Sequence, residues 1–231
     1  MSRPVCAIVG AGEGLGQAFA TRFAAEGFAL ALMSRTERFA VDGGRFFAVD
    51  ATQPEAVEAA FARVDAEMGA PDVMIYNARG GFERVEPLEA SYDALEDTFR
   101  LEVVGALAAA KSTMPAMRAR GRGSVIFSSA TAAYRGSASH PLYAIGKFGL
   151  RALSQSLAKA YGRDGVHVAH VRLDCDLDTP IMQKLYGDAY DPAKLAKLED
   201  VAEAYWRLHD QPKTAWTNEL ELRPHAETWT I

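Results

Sequence analysis

The chain alternates between short apolar runs and longer stretches in which apolar residues recur every three or four positions. Short apolar runs rich in β-branched residues are typical of buried strands, and the longer spacing is typical of amphipathic helices. The predicted strands are residues 5–9, 28–33, 45–49, 72–76, 124–127, 166–173 and about 219–222. This alternation predicts a doubly wound α/β fold with a mostly parallel sheet of about seven strands.

The predicted helices fill the intervals between these strands. The first two are expected to end at Gly27 and Gly69, because glycine favours the end of a helix. The later helices are predicted at about 91–118, from about 143 to 161, and at about 200–209. Residues 178–192 show no clear period and are predicted to be irregular. Since no repeat or linker interrupts the pattern, we expect one domain over 1–231, with a substrate-side segment at about 178–199.

A glycine-rich turn, Gly-Ala-Gly-Glu-Gly-Leu-Gly, occupies residues 10–16 between the first predicted strand and the first helix. Glycines let the backbone approach a pyrophosphate, and a helix N-terminus supplies free N–H groups and a positive dipole. Leu15 breaks the usual G-x-G-x-x-G pattern, while Gly10, Gly14 and Gly16 give the spacing G-x-x-x-G-x-G. Between a strand and a helix, this turn predicts a dinucleotide site on a Rossmann-type fold.

The residues after the second predicted strand bear on the choice of cofactor. In such folds an acidic residue about 20 positions past the glycines holds a ribose diol, whereas an arginine suits a 2′-phosphate. That acid is absent here, and Ser34-Arg35 stands in the region. The sequence therefore favours NADP, with NAD as the alternative. Glu13 argues against NADP, because its negative charge would repel the phosphate. The other interpretation of Arg35 is that it is an ordinary solvated surface residue.

Tyr143 and Lys147 are spaced so that one face of a helix carries both side chains. A phenol alone loses its proton only near pH 10. An ammonium group within about 4–6 Å favours the phenolate, and a tyrosine tuned in this way exchanges protons with an alcohol or carbonyl oxygen. The pair alone is a weak signal, because most such neighbours are ordinary helix surface.

The amino-acid composition argues against several other classes of protein. A formal net charge of -5 argues against a general nucleic-acid binder, and no apolar run reaches the ~18–20 residues of a membrane span. Residues 1–4 lead directly into a strand, without an apolar signal region. Cys6 and Cys175 form neither a disulfide framework nor a metal cluster, so we expect buried free thiols, no metal and a cytoplasmic location.

Taken in order, these motifs resemble the short-chain dehydrogenase/reductase family over nearly the whole chain. Further matching pieces are Asp50 after the third strand, Asn77-Ala78 where the family has Asn-Asn-Ala-Gly, and Asp178-Thr179-Pro180 after the sixth strand. The resemblance implies hydride transfer between NAD(P) and a carbonyl or alcohol, with Tyr143 as acid/base assisted by Lys147. The cofactor-binding residues expected from the turn and the resemblance are Gly10, Gly12, Glu13, Gly14, Leu15, Gly16, Ser34, Arg35, Asp50, Ala51, Asn77, Ala78, Arg79, Tyr143, Lys147, Leu177 and Thr179.

Two positions depart from the family pattern. The family serine that hydrogen-bonds the reacting oxygen aligns with Ala130. Because a strand end can bulge by one residue, Ser129 is the candidate replacement, and loss of the serine is the alternative. An asparagine in the helix after the fourth strand aligns with Glu102, which either pairs with Lys147 and weakens its help to Tyr143, or points away as a solvated residue. Arg79 also replaces a family glycine.

The sequence thus predicts an NAD(P)-dependent oxidoreductase acting on a small carbonyl or alcohol compound. The alternative is a dinucleotide-binding protein with weak or no catalysis, acting as a sensor or scaffold; a Rossmann-type transferase or epimerase fits the Y-x-x-x-K register less well. The resemblance implies a homodimer or homotetramer, with neither a nucleic-acid nor a membrane partner. Candidate substrate-side residues are Phe82, Tyr134, Arg135, His140, Asp174 and residues 182–190.

Overall fold

The computed structural model of the chain describes residues 3–80 and 82–226. The strands are β1 Val5–Val9, β2 Ala29–Ser34, β3 Gly44–Ala48, β4 Val73–Tyr76, β5 Gly123–Ala130, β6 Val166–Leu173, β7 Asp176–Leu177, β8 Leu195–Ala196 and β9 Glu219–Leu222. Seven of them form a parallel sheet in the order β3-β2-β1-β4-β5-β6-β9, and β7 pairs with β8 separately. The predicted doubly wound α/β fold is confirmed.

Helices cover both faces of the sheet. They are α1 Leu15–Ala25, α2 Pro54–Met68, α3 Tyr92–Phe99, α4 Gly105–Ala119, α5 Pro141–Tyr161, α6 Pro180–Tyr186 and α7 Leu198–His209. Helices α1 and α7 pack together on one face, where the rings of Phe19 and Tyr205 stack with centroids 4.3 Å apart. Helices α2, α4 and α5 supply the core of the other face. Strands β1, β4 and β6 are buried along their whole length, which accounts for their continuous apolar runs in the sequence.

Three elements differ from the sequence prediction. The long helix predicted at 91–118 is divided by a π-helix, Arg100–Val104, where the hydroxyl of Tyr76 donates a hydrogen bond to the carbonyl of Leu101. Strand β5 extends to Ala130 rather than 127, because its serines pair in register with β6. Residues 178–192 contain helix α6, whose first turn is capped by the hydroxyl of Thr179.

Neither cysteine forms a disulfide within the described residues, and the expected burial holds only for Cys6. Cys6 is fully buried in β1, and burial raises the pKa of its thiol well above the usual value. Cys175 is only half-buried. Among the described residues, no helix combines the length and apolar character needed to cross a membrane.

The strand order places a crevice between β1 and β4. Chain connections leave these neighbouring strands toward opposite faces, and ligands of such sheets bind outside the carboxyl ends of the strands at this point. Gly10 follows β1 and Asn77 follows β4. The side-chain amide of Asn77 donates to the carbonyl oxygen of Gly10 at 3.2 Å, and its backbone N–H donates to Val9 at 2.8 Å. These bonds hold the two edges of the crevice together.

The start of α4 packs against this crevice without room for a side chain. A Cβ atom on Gly105 would lie 2.1 Å from the carbonyl oxygen of Ala51 and 2.6 Å from the hydroxyl of Tyr76. Because one of these atoms belongs to the backbone, Gly105→Ala forces the helix away from the sheet. We expect the free energy of unfolding to fall by about 3 kcal/mol, which corresponds to a Tm lowered by roughly 6–12 °C in thermal unfolding.

Gly136→Ala is the matched control, because a Cβ atom at Gly136 would meet nothing within 4 Å. Its free energy of unfolding should stay within about 1 kcal/mol of that of the unchanged protein. Equal Tm values for the two variants would show that α4 does not approach the sheet as closely as described.

Candidate active site

A cavity of about 730 Å³ opens at the carboxyl ends of β1 to β4. The predicted cofactor residues that line it are Gly10, Gly12, Ser34, Arg35, Asp50, Ala51, Asn77, Ala78 and Arg79. Lining residues that the sequence reasoning missed are Val9, Met33, Thr36, Arg38, Val49, Thr52, Gly80 and Leu101. The structure therefore brings together nine of the predicted residues at one cavity, and these come from four successive strand ends.

The glycine turn allows two backbone segments to touch at the floor of this cavity. Gly10 has φ of +87°, and a Cβ atom there would lie 2.4 Å from the backbone nitrogen of Ala78. A Cβ atom on Gly16 would lie 2.9 Å from the Cα of Ala11. Helix α1 has no side-chain cap and no acidic residue in its first turn, so its N-terminal dipole stays available to an anion. Glu13 is exposed, and it is not among the residues that line the cavity.

Charge is distributed along the cavity in a way that fits a dinucleotide. Arg35 and Arg38 both line the end next to β2. The carboxylate of Asp50 accepts hydrogen bonds from the backbone N–H of Thr52 at 2.9 Å and from its hydroxyl at 2.8 Å. These bonds, with a smaller contribution from Arg35, lower the pKa of Asp50. Arg38, three residues after Arg35, is a signal for this end of the cavity that the sequence analysis did not use.

Tyr143 and Lys147 lie on the buried face of α5. The amine of Lys147 is 5.5 Å from the centroid of the Tyr143 ring, within the range of a cation–π contact. The edge of the Phe82 ring meets Tyr143 at 5.2 Å between centroids, and Phe82 stacks on His140 at 4.1 Å. The structure thus places the predicted acid/base pair together, with an aromatic wall beside the phenol.

Glu102 pairs with Lys147, which settles the two interpretations of this residue in favour of the ion pair. Its Oε2 lies 2.7 Å from the Lys147 amine, and the side chains of Glu102 and Lys147 are 0% and 3% exposed. Its Oε1 accepts the backbone N–H of Gly80 at 3.1 Å, and Lys147 also donates to the carbonyl of Ser128 at 3.4 Å. Removing one partner of a buried pair typically costs about 3–5 kcal/mol, so each charge depends on the other.

Gly146 makes space for this carboxylate side chain. A Cβ atom on Gly146 would lie 2.9 Å from the Cγ and 3.1 Å from the Cβ of Glu102. Glu102 lies in the π-helix, a form that is rare and frequently found at functional sites. The packing therefore joins the π-helix, α5 and the loop at Gly80 around one buried pair.

The serines at the end of β5 have different surroundings. The hydroxyl of Ser128 accepts a hydrogen bond from Tyr205 at 2.9 Å, on the α7 side of the sheet. The hydroxyl of Ser129 is buried and has no hydrogen-bond partner among the described residues. Ala130 follows at the end of the strand. Ser129 is therefore the serine of this pair whose hydroxyl is uncommitted, and its predicted role remains a prediction.

Other predicted residues lie outside the lining of the cavity. Leu177 belongs to β7 and pairs with Ala196, and Thr179 caps α6. Tyr134 donates to the carboxylate of Glu219, and the Arg151 guanidinium lies 3.7 Å from its ring centroid.

Asp174 also engages the polar residues around β6 and β9. Its carboxylate accepts hydrogen bonds from Thr131 and Arg223. Burial opposes ionisation of Asp174, but these two bonds prevail and lower its pKa. Tyr134 and Asp174, two of the substrate-side candidates, are therefore held by this polar network.

Comparison of the chain with known proteins identifies its family. A family model described as short chain dehydrogenase matches residues 4–188. An uncharacterized oxidoreductase of Staphylococcus aureus strain MRSA252 is 26% identical, covering 95% of this chain and 96% of the relative. The cis-4-hydroxycyclohexanecarboxylate dehydrogenase of Sinomonas cyclohexanicum is 30% identical, and the match covers 87% of this chain and 86% of that relative.

A solved structure shares the fold. The alcohol dehydrogenase of the archaeon Thermococcus sibiricus, complexed with 5-hydroxy-NADP, superposes with a TM-score of 0.81 at 22% identity and covers 100% of both chains. The family model and the named relatives indicate an oxidoreductase, and they confirm the resemblance drawn from the motifs. The chain belongs to the short-chain dehydrogenase family.

Proposed function

We propose that the protein transfers a hydride between NADP(H) and the carbonyl or alcohol carbon of a small molecule, with Tyr143 as the acid/base. The observation that carries this proposal is the approach of the Lys147 amine to 5.5 Å from the Tyr143 ring centroid. Lys147 is joined to the cavity through Glu102, whose carboxylate accepts the N–H of the lining residue Gly80. The glycine turn and the arginines of that cavity fit a dinucleotide.

The chain's own residues would manage the proton. When bound, the nicotinamide supplies or accepts the hydride. In reduction, the Tyr143 hydroxyl donates its proton to the carbonyl oxygen of the substrate, and in oxidation the phenolate takes the proton of the alcohol. The Lys147 ammonium group stabilises the phenolate by its charge. The uncommitted hydroxyl of Ser129 would hydrogen-bond the reacting oxygen, which gives that buried group a partner.

NADP is the cofactor that the cavity favours. Arg35 and Arg38 offer two cations where a 2′-phosphate would lie, and the alcohol dehydrogenase of Thermococcus sibiricus carries an NADP derivative. Asp50, Asn77 and the glycine turn would hold the rest of the dinucleotide. NAD is the alternative, and it would leave both arginines without a phosphate partner.

The substrate is proposed to be a small alcohol or ketone with an apolar body. Phe82, beside Tyr143, is 58% exposed, and Ile181 and Leu185 of α6 are 78% and 73% exposed. These apolar side chains suit an apolar ligand better than a charged one. The dehydrogenase of Sinomonas cyclohexanicum is named for a ring alcohol that also carries a carboxylate, so it agrees with the small ring alcohol but not with an uncharged ligand. The segment at about 178–199 would then form the substrate side of one domain.

The alternative is a dinucleotide-binding protein with weak or no catalysis. Two observations favour it: Ala130 stands where the family has a serine, and Glu102 opposes the charge of Lys147. Both proposals require a bound dinucleotide, so turnover distinguishes them.

A second copy of the chain is the proposed partner. Phe99, Leu107, Ile145 and Phe148 are exposed apolar residues on the neighbouring helices α3, α4 and α5. A groove of about 280 Å³, lined mainly by α4 and the end of α5, continues this surface. Apolar patches of this kind mark protein interfaces, and a homodimer or homotetramer would cover it.

Tyr143→Phe removes the proposed acid/base while keeping the ring that Phe82 contacts. We expect kcat/KM for NADPH-dependent reduction of a panel of apolar ketones to fall by roughly a hundredfold to ten-thousandfold. The Kd for NADPH, measured by cofactor fluorescence, should not change. Tyr161→Phe, at the far end of the same helix, is the control and should keep full activity.

Turnover that does not depend on Tyr143, or NADPH binding without turnover, would favour the alternative. Ser129→Ala extends the experiment to the second proposed group. Since Ser129 has no hydrogen bond to lose, this variant should fold normally and lose kcat/KM. Unchanged activity would remove Ser129 from the mechanism.

Arg35→Ala combined with Arg38→Ala should weaken NADPH binding selectively. Loss of charge-assisted hydrogen bonds to a phosphate corresponds to roughly a tenfold to hundredfold rise in Kd. The Kd for NADH, which lacks the 2′-phosphate, should change little. Arg163→Ala, at an exposed arginine beyond the end of α5, is the control for loss of a positive charge outside the cavity. Equal losses for both cofactors would contradict the proposed phosphate site.

Leu107→Glu places a charge in the proposed surface between two copies. We expect the dissociation constant of the oligomer, measured by sedimentation velocity, to rise at least about tenfold. Leu88→Glu introduces the same charge at an exposed leucine outside helices α3 to α5 and should leave association unchanged. A monomeric unchanged protein, or identical behaviour of both variants, would refute this surface.

A further inference from the structure

The turn that precedes α5 is fixed by its own serines. The hydroxyl of Ser137 accepts the backbone N–H of Ser139 at 3.3 Å and that of His140 at 3.0 Å. The hydroxyl of Ser139 lies 2.9 Å from Nδ1 of His140. The imidazole ring is therefore held in one orientation directly before Pro141, the first residue of the helix.

The loop after β4 is attached to this turn at two places. The backbone N–H of Val85 donates to the carbonyl of Ser139 at 3.0 Å. The Phe82 ring stacks on His140, with 4.1 Å between centroids and 19° between the planes. The same ring lies nearly perpendicular to Tyr143, at 85° and 5.2 Å between centroids. The three rings form a row, here called the aromatic row, that ends at the proposed acid/base.

Phe82 is 58% exposed in spite of these two ring contacts. A single exposed apolar residue on a protein surface is ordinary. Phe82 differs because its ring is fixed by the turn behind it and adjoins Tyr143. Its loop continues from Gly80, which lines the cofactor cavity. An apolar ring that is held in place and open to solvent at this position is suited to contact a ligand.

We propose that Phe82 is a specificity-determining residue, and that the substrate carries an aromatic ring bonded to its reacting carbon, as in an aryl ketone or a benzylic alcohol. The substrate ring would stack on the open part of the Phe82 ring, and His140 would be a positioning residue behind it. This inference deepens the proposed function and rests on it. In reduction the carbonyl carbon gains the hydride, and its oxygen gains the Tyr143 proton, which yields the benzylic alcohol.

Ring geometry favours an aromatic substrate over a merely apolar one. Aromatic pairs prefer offset-stacked or edge-to-face contacts at about 4.5–7 Å between centroids, and these contacts add to the gain from apolar burial. A saturated ring of the same size gains the burial alone. Because Phe82 and Tyr143 are in contact, a ring on Phe82 lies close to the phenol, so a carbonyl bonded directly to that ring suits the site better than one on a long chain.

The test compares two ketones of similar size, acetophenone and cyclohexyl methyl ketone, whose rings differ in aromaticity. The ratio of their kcat/KM values is compared between the unchanged protein and Phe82→Leu, so that the intrinsic reactivity of each ketone cancels. Phe82→Leu should lower the preference for acetophenone by roughly twofold to tenfold. Phe82→Trp, which keeps an aromatic face, should retain it. Tyr92→Leu removes an exposed ring at the start of α3 and should leave the ratio unchanged.

His140 is tested by the same ratio. His140→Ala removes the ring behind Phe82 and should also lower the preference for acetophenone, whereas His140→Phe keeps a stacking ring and should restore it. A purely structural role for His140 would change kcat/KM for both ketones alike, and this result would contradict its positioning role.

An unchanged ratio in Phe82→Leu would overturn the inference while Tyr143-dependent turnover kept the proposed function intact. Binding separates the two in the other direction. The Kd values of both ketones for the protein with NADP+ are measured by saturation-transfer NMR. With no turnover of any ketone the proposed function fails, yet tighter binding of acetophenone that is lost in Phe82→Leu would still support an aromatic ligand on Phe82. Equal binding of the two ketones, or binding of neither, would overturn it.

Discussion

The reversal of strand order between the parallel strands β1 and β4 is the constraint on which the rest of the molecule depends. With seven parallel strands in the order β3-β2-β1-β4-β5-β6-β9, the segments that follow β1 and β4 must diverge to opposite faces. Their first residues, Gly10 and Asn77, are left facing each other across a gap that the Asn77 amide spans. A glycine is required there because any side chain would strike the backbone of Ala78. The cavity follows from topology before any side chain is chosen.

Charge divides this cavity and its surroundings into two functional ends. The end next to β2 has two arginines, Arg35 and Arg38, in the lining of the cavity, which suits a phosphate. At the other end the one lysine is matched by Glu102. Affinity for a dinucleotide would therefore come from the first end, and proton chemistry would take place at an almost neutral second end. In the proposed function, cofactor choice and proton transfer would thus depend on different residues.

The sequence predicted those features that depend on local pattern. Strand β1, the glycine turn, helix α1 and the Tyr143–Lys147 spacing are all encoded within a few neighbouring residues. The sequence did not decide the orientation of the Glu102 side chain. That orientation depends on the π-helix and on Gly146, 44 positions further along the chain, whose missing side chain leaves space for the carboxylate. The sequence prediction also ended β5 at residue 127 instead of Ala130. Serines are typical of turns, and only their pairing with β6 keeps Ser128 and Ser129 in the strand.

The surroundings of Glu102 argue that it is a fitted part of the site rather than a damaged family position. A buried carboxylate is tolerated only when its charge and both oxygens are satisfied. Here Lys147 supplies the charge, the backbone of Gly80 supplies the second donor, and Gly146 supplies the volume. A random replacement of an asparagine by glutamate would be expected to leave at least one of these demands unmet. Since the requirements are met by two separate segments, helix α5 and the loop at Gly80, the buried ion pair is a built feature of the site.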